Sequence, residues 1–225
     1  MVISYERCAT QFFFFTLYAS TECFLLAVMA YDRYVAVCNP LLYATAMTPQ
    51  TRLWLVSGAY GGALVNSVIR TGCTFSLSFC KSNRVDFFFC DLPPLLKLAC
   101  SETKAREQVI YLLAFFVIST SVSVILISYS FIIRAILKIR TAGGKAKTFS
   151  TCASHMTAVA LFFGTLIFMY LKGNMGKSLG EDKIVSVFYT VIIPMLNPMI
   201  YSLRNKEVKE ALKKALNRMR VSHGE

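Results

Sequence analysis

Long apolar runs separated by short polar links dominate the chain from about its tenth residue onward. A helix crossing the hydrocarbon core needs roughly 20 predominantly apolar residues at about 1.5 Å each. Five stretches are predicted to do so, over about 10–37, 53–74, 108–136, 148–171 and 184–203. The first carries Glu22 near its middle. The second holds Gly58, Gly61 and Gly62, small residues that permit close helix approach in lipid. The third has no charge between Gln108 and Ile133, and the fourth includes only His155. The fifth contains Pro194 and Pro198, tolerated where neighbouring helices satisfy the freed carbonyls. No stretch alternates strictly as a barrel strand would. The pattern predicts an all-α membrane protein, one domain over 1–225.

Charge fixes the orientation. Arg134, Lys138, Arg140, Lys145 and Lys147 separate the third and fourth stretches with no acid among them, and Arg204, Lys206, Lys209, Lys213, Lys214, Arg218 and Arg220 follow the fifth. Arg33 and Arg52 fall on the same side. The opposite links are nearly balanced: Lys81, Arg84, Lys97, Lys104 and Arg106 meet Asp86, Asp91, Glu102 and Glu107. Cytoplasmic loops carry the basic excess, so the amino end is predicted outside and the carboxyl end inside. Composition agrees, with 56% hydrophobic and 16% charged residues and a mean hydropathy of +0.54. The formal net charge of +12 is accounted for at the inner leaflet, and a nucleic-acid partner falls away. Met1 to Cys8 is short and polar, without the apolar core of a cleavable signal peptide.

Cys8, Cys73, Cys80, Cys90 and Cys100 lie on the outer, oxidising side, where disulfides form. The sequence alone leaves their connectivity open. Cys23, Cys38 and Cys152 are expected to stay reduced. Glu22 inside a span is a functional candidate by default: it holds a cation, a proton or a polar partner, or it packs as a neutral hydrogen-bonded acid. His155, near a helix end, reads as structural. Val208, Ala211, Leu212, Ala215, Leu216 and Met219 share one helical face, so residues 205–219 form either a basic amphipathic helix on the inner leaflet or a solvated tail. No phosphate loop, nucleophile elbow or zinc-protease motif occurs, and the chain has 2 His. An enzyme is therefore not expected, and no cofactor or metal is implied. A transporter or channel would show an internal repeat or paired broken helices, and neither is found.

The segment Met29-Ala-Tyr-Asp-Arg-Tyr-Val-Ala-Val-Cys-Asn-Pro-Leu-Leu-Tyr43 resembles the signature of vertebrate olfactory receptors, a rhodopsin-like G-protein-coupled receptor family. Lys147-Thr-Phe-Ser-Thr-Cys-Ala-Ser-His155, Pro194-Met-Leu-Asn-Pro-Met-Ile-Tyr201 and Ser128-Tyr129 match in order and spacing. The resemblance implies a rhodopsin-like helical bundle in which the five spans correspond to helices three to seven and the tail to the short eighth. The family's first two helices have no counterpart, which makes the chain a fragment, a mis-predicted start or a truncated product.

By the same resemblance, Cys8 bridges to Cys90 and Cys80 to Cys100. Asp32, Arg33 and Tyr34 form the cytoplasmic switch, with Arg33 paired to Asp32 at rest. Tyr129 and Tyr201 point into one inner cavity, and Asn197 and Pro198 let the last helix bend. Glu22 matches an acid beside a buried cation site whose usual helix-two partner is missing. The odorant pocket maps to Phe15, Thr16, Ala19 and Ser20 on the first span, Leu113 and Val117 on the third, and Phe163, Leu166, Ile167 and Tyr170 on the fourth. An aromatic stripe at that spacing is also how ordinary helix packing looks. Family members often carry Tyr where Phe163 stands. The implied partners are small volatile odorants, a stimulatory G protein and membrane lipid. The implied location is the plasma membrane, with retention in the endoplasmic reticulum if truncated. The leading expectation is an odorant receptor polypeptide; the alternative is a truncated, non-signalling fragment or pseudogene product.

Overall fold

The computed structural model describes residues 3–77, 84–85, 90, 92, 95, 104–173 and 214. Five helices follow in chain order: α1 Tyr5–Cys38, α2 Tyr43–Ala46, α3 Pro49–Phe75, α4 Lys104–Lys138 and α5 Ala142–Gly173. The long helices overrun the apolar runs that predict them, because the polar turns flanking each run satisfy their own backbone by continuing the helix. The expected span 184–203 and the expected tail helix 205–219 lie outside the described residues.

Helix boundaries follow local chemistry. α1 stops at Asn39, which precedes Pro40 and leaves helical geometry at φ −131° and ψ 58° while its N–H still reaches Val35 O at 3.0 Å. Proline disfavours a helical conformation in the residue before it. α3 begins at Pro49, where the missing N–H would have been unsatisfied in any case, and Thr48 caps it. The Thr48 hydroxyl accepts from the Thr51 N–H at 3.1 Å.

Among the described residues, three helices are long and apolar enough to cross a membrane: α1, α4 and the Ala142–Phe168 portion of α5. The 27-residue α3 covers the expected 53–74 stretch, but Arg52, Asn66, Ser67, Arg70 and its glycines dilute its apolar content, and it is not among the three. Of its three clustered glycines, only Gly62 meets a neighbour among the described residues. A Cβ there would lie 3.4 Å from the Phe24 ring, whereas Gly58 and Gly61 face open space.

The chain divides into two units, Met1–Thr148 and Phe149–Glu225. In the first, α1 packs against both α3 and α4, and α3 also meets α4. Small residues occupy the buried faces: Ala27 and Ala30 on α1, Ala59, Ala63 and Ser67 on α3, Ala114 and Ser121 on α4. Such seams suit helices in lipid, where association rests on close packing and interhelical hydrogen bonds. Large apolar side chains such as Trp54, Leu64, Leu112, Phe115 and Leu126 are exposed, as lipid-facing positions must be. A two-residue antiparallel pair, β1 Ile3–Ser4 with β2 Arg84–Val85, ties the start of α1 to the α3–α4 link. In the second unit, Cys152, Ser154, His155, Ala158, Phe162 and Phe163 of α5 are buried.

Candidate ligand and switch sites

At the amino end of α1, Cys8 is bonded to Cys90 across a sequence separation of 82, with Cα atoms 5.5 Å apart. Phe12, Leu92, Leu95 and Ile110 bury themselves around the bond, and Cys73 and Phe75 pack on the outside. The Cys90 N–H donates to Gln11 Oε1 at 3.1 Å. Tyr5 stands edge-on to Phe75 at 5.3 Å, and its hydroxyl donates to Phe75 O at 2.5 Å. Arg106, at the start of α4, donates to Ser76 O just beyond α3. Cys73 is a free thiol, while Cys80 and Cys100 lie outside the described residues.

One to three turns along α1 the seam with α3 becomes polar. Thr16 and Ser20 are 1% and 4% exposed. The Thr16 hydroxyl lies 2.8 Å from Ser67 Oγ, and Ser67 donates to Phe13 O at 2.7 Å. Asn66 donates through its amide nitrogen to Ser20 Oγ at 2.8 Å. The two hydroxyls expected to face a ligand therefore also hold α1 to α3. Phe15 and Ala19, on the adjoining positions, are half-buried. On α4, Leu113 is half-buried and Val117 buried. Glu22 is half-buried one turn further along α1. Within the second unit, Phe163 is buried and edge-on to Phe162 at 5.2 Å. Leu166 is half-buried and Ile167 is 59% exposed. The Tyr170 side chain lies outside the described residues.

At the carboxyl end of α1, Asp32, Arg33 and Tyr34 are all half-buried. The expected Asp32–Arg33 pair is not the contact found. Asp32 Oδ1 instead accepts from the Tyr43 hydroxyl of α2 at 3.0 Å, and no ion pair joins Asp32 to Arg33 among the described residues. The turn through Pro40 brings Tyr43 back over the helix end, where its hydroxyl takes the carboxylate. This hydrogen bond to the carboxylate raises the Tyr43 hydroxyl above the ordinary tyrosine value, and partial burial adds to the shift. Tyr34 packs on Phe131 of α4 at 5.6 Å between ring centroids, and the Arg134 guanidinium lies 5.9 Å from the same ring. Ser128 and Tyr129 are buried on α4. Asn197, Pro198 and Tyr201 lie outside the described residues.

Three participants carry no role in the sequence reading. Tyr43 stands within the quoted signature, but its partner is visible only once α2 folds back. Asn66 and Ser67 had a usable signal: a polar pair inside a predicted span is costly in lipid unless it is partnered.

The bundle of long apolar helices, the lipid-facing exterior and the disulfide at one end define a multi-pass helical membrane protein. A family model described as "Olfactory receptor" matches residues 1–219, and the chain belongs to that family of G-protein-coupled receptors, which are plasma-membrane proteins and not enzymes. It is 66% identical to human olfactory receptor 9I1 over 221 residues, 98% of this chain and 70% of that receptor. Human olfactory receptor 9Q1 is 61% identical over 98% of this chain and 71% of its own length. Mouse olfactory receptor 5B21 is 55% identical over 96% and 68%.

Proposed function

We propose that this chain is an odorant receptor polypeptide that binds small volatile molecules near the disulfide end of its bundle and activates a stimulatory G protein at the Asp32-Arg33-Tyr34 end. The observation that carries the reading is that one continuous helix, α1, bears both sites. Thr16 and Ser20 lie three to four turns before Asp32 on α1, roughly 18–24 Å at 1.5 Å per residue. The Cys8–Cys90 bond supports the orientation, since disulfides persist on the oxidising face. From Cys8, Arg33 is about 37 Å along the helix, more than the ~30 Å hydrocarbon core. That length supports the reading with the amino end outside and the arginine at the cytoplasmic surface.

Apolar walls with a few hydroxyls suit a small neutral ligand held mainly by burial and one or two hydrogen bonds. At the far end, the Asp32 carboxylate has two potential partners of comparable strength. A half-exposed ion pair with Arg33 contributes about 0–1 kcal/mol, and the part-buried hydrogen bond from Tyr43 falls at the low end of the ~0.5–1.5 kcal/mol of an ordinary hydrogen bond. Small tilts of α1 against α4, read through Tyr34 on Phe131, shift the balance and change what Arg33 presents to the G protein.

The full-length receptor carrying this sequence, expressed with an odorant panel and a cAMP readout, tests the reading. Wild type responds to at least one member, and Arg33→Ala loses at least tenfold of that response at equal surface labelling. Silence of well-labelled wild type, or an unimpaired Arg33→Ala, overturns it and favours a non-signalling chain.

A further inference from the structure

The polar seam between α1 and α3 is not fully satisfied. Asn66 is 6% exposed. Its amide nitrogen is used by Ser20, but its carbonyl oxygen, Oδ1, is buried without a hydrogen-bond partner. A buried carbonyl left in that state has given up its hydrogen bonds to water without replacement, and native structures rarely leave such a cost uncompensated. A second atom in the same three-helix unit is in the same position. Ser121 Oγ, one turn beyond Val117 on α4, is buried with no partner, and the residue is 1% exposed. Asn66 is anchored through Ser20, which sits one turn from Thr16, among the residues proposed above to meet the odorant.

We propose that the Asn66 side-chain carbonyl is a specificity-determining acceptor for a hydroxyl group on the ligand, so that this receptor favours small neutral alcohols over ethers of equal size. This rests on the binding site proposed above. The chemistry is asymmetric. One amide N–H is committed to Ser20 Oγ at 2.8 Å, and the unpartnered buried atom is the carbonyl oxygen, so what Asn66 offers is a fixed acceptor from which a donor gains most. A linear ether matches a linear alcohol in apolar burial but has no hydrogen to give. An ionised acid or amine would add the desolvation of a charge with no counter-charge at Asn66, so a neutral donor is selected.

Binding is read directly, apart from signalling, as the ligand-induced rise in melting temperature of the purified full-length receptor. The probes are linear alcohols and linear ethers matched in heavy-atom number, and cAMP is recorded in parallel in cells. Wild type is expected to bind the matched alcohol about tenfold more tightly than the ether. Asn66→Leu, close in volume, brings the two within about twofold by weakening the alcohol alone. Ser67→Ala removes an α1–α3 hydrogen bond on the same helix while sparing Asn66, and keeps the preference. Equal binding of alcohol and ether to wild type overturns the inference whether or not any variant folds. So does a preference that survives Asn66→Leu, or the failure of every alcohol to bind. Alcohol-selective binding without any cAMP response supports the inference and counts instead against G-protein activation.

Discussion

The two ends of the three-helix unit are built on different principles. At the disulfide end, a covalent bond, a buried cluster of Phe12, Leu92, Leu95 and Ile110, and the hydrogen bonds of Tyr5 and Arg106 hold α1, α3 and α4 together. At the Asp32 end no disulfide is found among the described residues, and beside buried Val35, Met47 and Ile132 the polar and ring contacts include a hydroxyl-to-carboxylate bond and the packing of half-buried Tyr34 on exposed Phe131. A lever moves where it is not fastened. The fastened end keeps a fixed cavity geometry and the loosely held end registers small tilts, which is the division of labour a ligand-driven switch requires.

The most direct way to break this asymmetry is to unfasten the tight end. Cys8→Ser, or Cys90→Ser, removes the bond and leaves a polar group amid Phe12, Leu95 and Ile110. Loss of a native disulfide typically costs about 2–5 kcal/mol, so the variant is expected to lose most surface labelling and to melt well below wild type in detergent. Near-wild-type melting and labelling would show that the hydrophobic cluster alone fastens this end.

How much of this contrast the sequence carries differs between the ends. Helices α1, α4 and α5 are legible because predominantly apolar runs near 20 residues have few alternatives to spanning lipid. The exact ends are not, because polar flanking turns extend a helix without any apolar signal. The Cys8–Cys90 bond came from family resemblance, since residue spacing alone leaves several pairings open. Asp32 and Arg33 stand out as charges at the end of an apolar run, yet their adjacency does not say which partner the carboxylate takes. The partner Asp32 takes, Tyr43, depends on the turn at Pro40. Thr16 and Ser20 read as cavity-lining residues, and their bonds to Ser67 and Asn66 depend on the pairing of α1 with α3, which no local pattern encodes.

A smaller effect sharpens the comparison in the middle of the unit. Thr16→Val keeps shape and removes the hydroxyl that meets Ser67 at 2.8 Å. Interhelical hydrogen bonds in membrane proteins contribute about 0.6 kcal/mol on average and up to about 1.7, so melting falls by a few degrees at most. Ser67→Ala removes both the Thr16 contact and the bond to Phe13 O and is expected to cost more. The double variant then costs less than the sum of the two. Strict additivity would mean that the 2.8 Å contact carries no coupling, and that packing of small residues alone joins the two helices.

The smallest expected change in stability lies at the loose end, where it is read as signalling and not as melting. Tyr43→Phe frees the Asp32 carboxylate while leaving the ring in place. If the hydroxyl competes with Arg33, basal cAMP falls, because the arginine gains its neighbouring acid and is withdrawn from the G protein. Melting changes by less than about 1 kcal/mol equivalent. The titration has a definite sign. The folded-state value of Tyr43 is raised above its ordinary 10.0 by the hydrogen bond to Asp32. Its contribution is therefore fully present below pH 10 and is lost as pH climbs through the raised value, where a phenolate would face a carboxylate. In purified receptor, the tyrosine absorbance titration of wild type should include a component above pH 10 that Tyr43→Phe removes. A titration unchanged by the substitution, together with unchanged basal signalling, would mean that the Asp32 end is held by packing alone, and the competition for the carboxylate would have to be abandoned.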